Sequence, residues 1–101
     1  MTANELLAET HPGRTILEDV VKPLGMSVNA LAKQLRIPAT RLNDIVRGRR
    51  GVTADTALRL ARYLGTTAQF WLNLQSAYEL RVAERWKGSA IRKSVNPRKA
   101  A

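Results

Sequence analysis

SVNALAKQLRIPATRLNDIVRG, residues 27–48, is the stretch on which the fold turns. Ser27 is a favourable N-cap, because its hydroxyl can satisfy a backbone N–H that the first helical turn leaves unpaired. Leu31, Ala32 and Leu35 then fall at helical spacing and predict a buried stripe on a helix over about 28–36. Arg36-Ile37 marks a turn, and Pro38 suits the first position of a following helix, where a missing N–H costs nothing. Leu42, Ile45 and Val46 form the apolar face of that helix, and Gly48 ends it. Two short helices thus meet across a tight turn, with the small Ala32 where they must approach closely. The turn residue of such a unit adopts a left-handed conformation. Arg36 occupies it at a cost of about 1 kcal/mol that packing must offset.

Working outward, Gly13, Leu17, Val20, Val21 and Leu24 step by three and four and predict one face of a first helix, closed by Pro23 and Gly25. Gly48-Arg-Arg-Gly-Val52 reads as a basic loop. Thr53 caps a fourth helix whose Asp55 suits the positive end of the helix dipole. Ala57, Leu60, Ala61 and Leu64 are its buried face, and Gly65 stops it. Thr67 caps a longer fifth helix, expected to run to about Trp86, with Phe70, Trp71, Leu74, Ala77 and Tyr78 as its apolar stripe. No stretch alternates for long enough to make a strand. The chain therefore divides into an N-terminal extension (1–12), a helical domain (13–86) and a basic tail (87–101). The tail holds five bases, no acid and two large apolar residues, and is expected to be mobile.

Composition narrows the function. The 101 residues carry a net charge of +9, placed unevenly. Residues 1–36 balance to zero, residues 37–65 hold six Arg against two Asp, and residues 66–101 hold seven bases against two Glu. Such asymmetry favours a polyanion, nucleic acid before a membrane surface. No cysteine is present, which excludes disulfides and thiolate zinc sites. No apolar run approaches the ~20 residues that span a bilayer, and no signal peptide is visible. His11 stands alone beside Pro12 at a helix entrance, suited to capping or solvent rather than catalysis. No acid or histidine cluster has metal-ligand spacing, and no Gly-rich phosphate loop opens a helix. No catalytic residue, metal or cofactor is expected. A pure interaction module using the fifth helix and tail for an acidic partner or membrane is the other reading, but the tail is too poor in apolar residues to lie in a membrane surface.

The second helix of the central unit is therefore read as a helix for the major groove, where base edges differ. Its outward positions are Ala39, Thr40, Arg41, Asn43, Asp44 and Arg47. Arg can bind guanine through two bonds, Asn can bind adenine, and Ala or Thr can touch a thymine methyl group. Asp44 would accept from cytosine or orient Arg41 or Arg47. Ser27 and its neighbouring backbone N–H groups would meet a phosphate. Arg47, Arg49 and Arg50 would neutralise phosphates and fix register.

The motifs then resemble a known family. His11-Pro12-Gly13 opens the first helix, and Pro23-Leu24-Gly25-Met26-Ser27 leads into the helix-turn-helix. Ile37-Pro38-Ala39-Thr40-Arg41, Asn43-Asp44-Ile45-Val46, Arg49 to Ala57 and Phe70-Trp71-Leu72-Asn73-Leu74-Gln75 complete the likeness, over about residues 11–81. Together they resemble the HigA antitoxins, part of the Xre/Cro-like group of regulators. The resemblance implies an all-α, five-helix, lambda-repressor-like domain. It implies a homodimer that binds double-stranded operator DNA of its own operon in the bacterial cytoplasm, associated with the nucleoid when bound. It also implies a HigB-type ribonuclease toxin as partner, with a stand-alone Xre-family regulator as the alternative. The family's dimer surface involves the C-terminal helix, here about 67–86, so Leu72, Ser76, Leu80 and Ala83 are expected at the interface, while Phe70, Trp71 and Leu74 pack the core.

Overall fold

Three of the helices start at a residue whose side chain caps them. In the computed structural model, which describes residues 11–99, His11 Nδ1 accepts from Gly13 N at 2.9 Å and opens α1 (Pro12–Thr15). The chain runs directly from α1 into a π-helical stretch, Ile16–Val21. Ser27 Oγ accepts from Ala30 N at 3.0 Å and starts α2 (Val28–Leu35). Pro38 precedes α3 (Ala39–Val46), one position outside the helix rather than at its first residue. Thr53, in extended conformation, precedes α4 (Ala54–Leu64) but does not make the expected side-chain capping bond, and Gly65 closes that helix with φ 74°. Thr67 Oγ1 accepts from Phe70 N at 3.1 Å and starts α5 (Ala68–Ser94). Among the described residues every regular element is helical, as expected. The first ten residues of the N-terminal extension, with their Leu6-Leu7-Ala8 cluster, lie outside the described residues.

One core joins the helices. Ile16, Leu31, Leu42, Ile45, Ala57 and Leu60 are fully buried, and Trp71 closes the cluster from α5 with its indole Nε1 donating to Thr66 Oγ1 at 2.9 Å. Ala32 is buried where α2 meets α3, and Arg36 adopts the left-handed conformation (φ 60°, ψ 41°) that the turn requires. It is the sole non-glycine residue at positive φ among the described residues. Burying an aromatic of Trp71's size and the branched side chains around it supplies the main favourable term, about 25 cal/mol for each Å² of apolar surface removed from water.

Three further expectations need correction. The first helix does not keep an α-helical register. Lys22 N bonds to Leu17 O, five residues back, so the stretch is wider than 3.6 residues per turn. Ile16 is buried in consequence, Leu17 only partly, and Leu24, beyond the helix, is 57% exposed. Phe70 stands edge-on to Trp71 with ring centroids 5.0 Å apart, but it is 44% exposed and not a core residue. The fifth helix does not stop near Trp86. It continues through Gly88 to Ser94, so the first eight residues of the basic tail are helical. Glu84 and Arg92 pair across Gly88, and Arg92 and Lys93 occupy the last turn, where cations meet the negative end of the helix dipole.

Candidate nucleic-acid interface

The turn and α3 present the candidate surface. Apolar Leu42 and Ile45 anchor α3 from below and aim its opposite face outward. Thr40 and Arg47 are exposed on that face, as are Arg49 and Arg50 in the loop that follows. Ser27 is exposed at the start of α2, its oxygen already occupied by the Ala30 N–H. Asp44 is half-buried, and its backbone carbonyl accepts from Arg49 N at 2.8 Å, folding the basic loop back onto the helix end.

Other predicted readers are less free than periodicity implies. Ala39 is half-buried and packs against the core cluster, so it is not simply outward. Asn43 donates from Nδ2 to Asn29 Oδ1 at 2.9 Å and to the Ala39 carbonyl at 2.8 Å. Both amide N–H groups are thereby committed, and reading adenine requires breaking one bond. Arg41 Nη1 donates to Asp55 Oδ2 at 2.9 Å rather than pairing with Asp44. The same Asp55 oxygen accepts from Arg59 Nε at 3.0 Å. Arg59 reaches on from Nη1 to the carbonyls of Leu35 and Arg36, at 3.0 and 3.3 Å. The Arg59 hydrogen bond, then that of Arg41, holds the Asp55 carboxyl below its usual range despite an opposing desolvation effect. Arg41, Arg50, Thr53, Asp55 and Arg59 line one cleft of about 430 Å³.

The basic loop is held from behind. Gln75 of α5 is buried, and its Oε1 accepts from Val52 N at 2.8 Å while its Nε2 donates to Glu79. A Cβ on Gly51 would lie 2.8 Å from the Gln75 amide, so only glycine fits without moving it. His11 completes the support. Its ring meets Tyr78 edge-on at 4.9 Å, and a hydrogen bond ties it to the Arg50 backbone. Burial is the largest influence on His11 and pushes its pKa below 6.5, opposed by the Arg50 bond and the charge of Glu79.

Sequence reasoning missed Asn29, Asp55's ion pairs, Arg59 and Gln75. Asp55 and Arg59 stand four apart on one helix, a visible pairing signal. The Asn29–Asn43 and Gln75–Val52 bonds join distant segments and leave no local trace.

On the proposed dimer face, Ser76 and Ala83 are exposed and Leu80 is 70% exposed. Leu72 is half-buried and packs against the core, so part of it is already spent within the protomer. Among the described residues no helix is long and apolar enough to cross a membrane.

Two short helices crossing at a left-handed turn, the second exposed and flanked by arginines, define a helix-turn-helix domain of the DNA-binding kind. The helix-turn-helix family model HTH_3 matches residues 17–71. The chain is 55% identical, over 85% of its length and 79% of the relative's, to virulence-associated protein I of Dichelobacter nodosus. An addiction-module antidote protein of the HigA family from Coxiella burnetii superposes with TM-score 0.85 at 48% identity, covering 89% of this chain and 98% of that one. Pseudomonas aeruginosa antitoxin HigA, solved with the higBA promoter, superposes with TM-score 0.86 at 43% identity, covering 88% and 97%. The chain belongs to the HigA family of Xre-like helix-turn-helix antitoxins and regulators.

Proposed function

We propose that this protein is a sequence-specific antitoxin that binds operator DNA as a homodimer, represses its own operon and neutralises a HigB-type ribonuclease toxin in the bacterial cytoplasm. The carrying observation is the first turn of α3, beyond the left-handed Arg36 turn, where Thr40 is exposed and Arg41 partly exposed. Thr40 and Arg41, with Ala39, Asn43 and Asp44, read base edges. Ser27, Arg47, Arg49 and Arg50 hold phosphates. The P. aeruginosa relative, solved with promoter DNA, supports the groove-reading assignment. Ser76, Leu80 and Ala83, with the exposed part of Leu72, form the dimer contact, and the two α3 helices then stand about 34–36 Å apart over a near-palindromic site. Residues 95–99 and the last turns of α5 add nonspecific charge.

The test is selection of duplexes from a random pool by the full-length chain, followed by titration at several salt concentrations. Arg41→Ala is expected to lose roughly 1–3 kcal/mol and to relax preference at one base pair of each half-site. Arg49→Ala is expected to weaken all duplexes alike and to flatten the salt slope by about one phosphate contact. Recovery of no preferred duplex would overturn the DNA-reading assignment. The toxin assignment is tested separately, by co-purification with the product of the neighbouring open reading frame. A neighbour without a ribonuclease fold leaves a stand-alone regulator.

A further inference from the structure

We infer that Asp55 is a positioning residue that sets base specificity by holding the Arg41 guanidinium at one fixed angle to the groove. This rests on the reading of α3 as the groove helix. A lone arginine on a DNA-facing helix swings on a long stem and pairs with whichever phosphate is nearest. Bidentate recognition of guanine requires the planar fork to arrive edge-on. Arg41 Nη1 is tied to Asp55 Oδ2 at 2.9 Å, which uses one of five N–H donors and leaves the others for a base.

The carboxylate is itself braced. Arg59, one helical turn on, donates from Nε to the same oxygen at 3.0 Å. From Nη1 it bonds the carbonyls of Leu35 and Arg36, the backbone of the turn that aims α3. The chain of contacts therefore runs from the turn through Arg59 and Asp55 to Arg41, so the fork is referenced to the motif's own backbone. Low carboxyl basicity keeps Asp55 charged throughout the physiological range.

Electrostatics give the assignment a distinctive sign. An acid in a cleft shared with Arg41, Arg50 and Arg59 opposes phosphate attraction, so Asp55 weakens nonspecific binding while it orients the specific contact. The Arg41–Asp55 pair is also partly solvated, with side chains 31% and 56% exposed, and ion pairs open to water add little to folding. Loss of the carboxylate should therefore leave the fold intact and still change what the protein reads.

The experiment uses the full chain and the duplex that the wild type selects, with every single-base-pair substitution of it and one scrambled duplex. Asp55→Asn is expected to lower discrimination about three- to tenfold at one base pair per half-site, the one that Arg41→Ala also relaxes. It should tighten binding to the scrambled duplex and steepen the salt slope by up to about one unit. Asp55→Glu should recover part of the discrimination. In an Arg41→Ala background Asp55→Asn should alter nonspecific binding alone. Unchanged discrimination in Asp55→Asn, an equal loss at every position, or the same loss without Arg41 overturns the assignment while DNA reading stands. A wild type that selects no duplex overturns both.

Discussion

Replacing Gly13 with alanine sets helix propensity against packing, and the structure says packing wins. Alanine favours a helix by about 1 kcal/mol over glycine. At Gly13, however, a Cβ would fall onto the carbonyl oxygen of Ile45, 2.7 Å from its carbon and 2.8 Å from Val46 Cα. Carbon contacts relax near 3.5–4.0 Å, so α1 and the end of α3 must separate by roughly 1 Å. All three atoms are backbone, so no rotamer change relieves the clash. Overpacking of this kind costs about 1–3 kcal/mol, more where the neighbours are rigid. With backbone atoms as the neighbours the upper end of that range, about 3 kcal/mol, applies, so after the propensity gain the net loss is about 2 kcal/mol, a fall in Tm of roughly 8–16 °C for a domain this size. Gly88→Ala is the internal control. The atoms nearest its Cβ belong to the Glu84 carboxylate, at the end of a flexible side chain that can swing away. That variant should be neutral or stabilised by up to about 1 kcal/mol. Both are read by thermal melts followed by circular dichroism. Because α1 abuts the end of α3, Gly13→Ala should also weaken specific DNA binding. A Gly13→Ala protein that melts within about 2 °C of wild type would show that α1 does not rest on α3.

Gln75→Ala leaves the buried Val52 N–H without its acceptor, a loss of about 1–3 kcal/mol in urea unfolding that should come with weaker binding to all duplexes, since the basic loop loosens. Unchanged stability would mean that the bond is dispensable. Trp71→Ala should cost about 3–5 kcal/mol, because the ring is 1% exposed, and a well-folded, stable variant would place the indole elsewhere. His11 has a folded-state pKa below its unfolded 6.5, so the unfolded chain binds the proton more tightly. Its contribution to stability is present above about pH 6.5 and is lost as the pH falls through the lowered value. The protonated ring also cannot accept from Gly13 N. His11→Asn keeps a capping oxygen without that titration, so the stability difference between wild type and variant should shrink from pH 7.5 to pH 5, measured about every half unit. A constant difference would refute the role given to the ring.

What was legible in the sequence was whatever neighbouring residues decide. Ser27, Thr67 and Gly65 mark helix ends because the capping group and the group it satisfies lie within four residues of each other. Arg36 is legible as a left-handed residue because it holds the turn position of a helix-turn-helix unit, where that conformation is usual. The π-helical stretch escaped because a 3.6-residue period was imposed on a segment that does not follow it, which exchanged Ile16 for Leu17 in the core. The fifth helix passes its expected end near Trp86 because Gly88 does not adopt the positive φ with which a glycine closes a helix. The positive-φ glycines here are Gly25, Gly48 and Gly65.

The same limit governs the candidate site. Periodicity identifies the face of α3 that leaves the core, with Thr40 and Arg47 on it and Arg41 at its flank. It does not separate a side chain that is free from one already held. Thr40 and Arg47 are exposed, whereas Arg41 is bound to an acid 14 residues away and Asn43 to an amide equally distant. The distinction has consequences in the groove. A free side chain must lose its rotamer entropy when it meets a base, a loss of up to about 2 kcal/mol for arginine, whereas one already restrained has less left to lose. A restrained residue is also more selective, because a base at the wrong angle cannot be met by reorienting the side chain. Affinity in this protein should accordingly reside mainly in the exposed arginines at 47, 49 and 50, and discrimination in the restrained pair, Arg41 and Asn43.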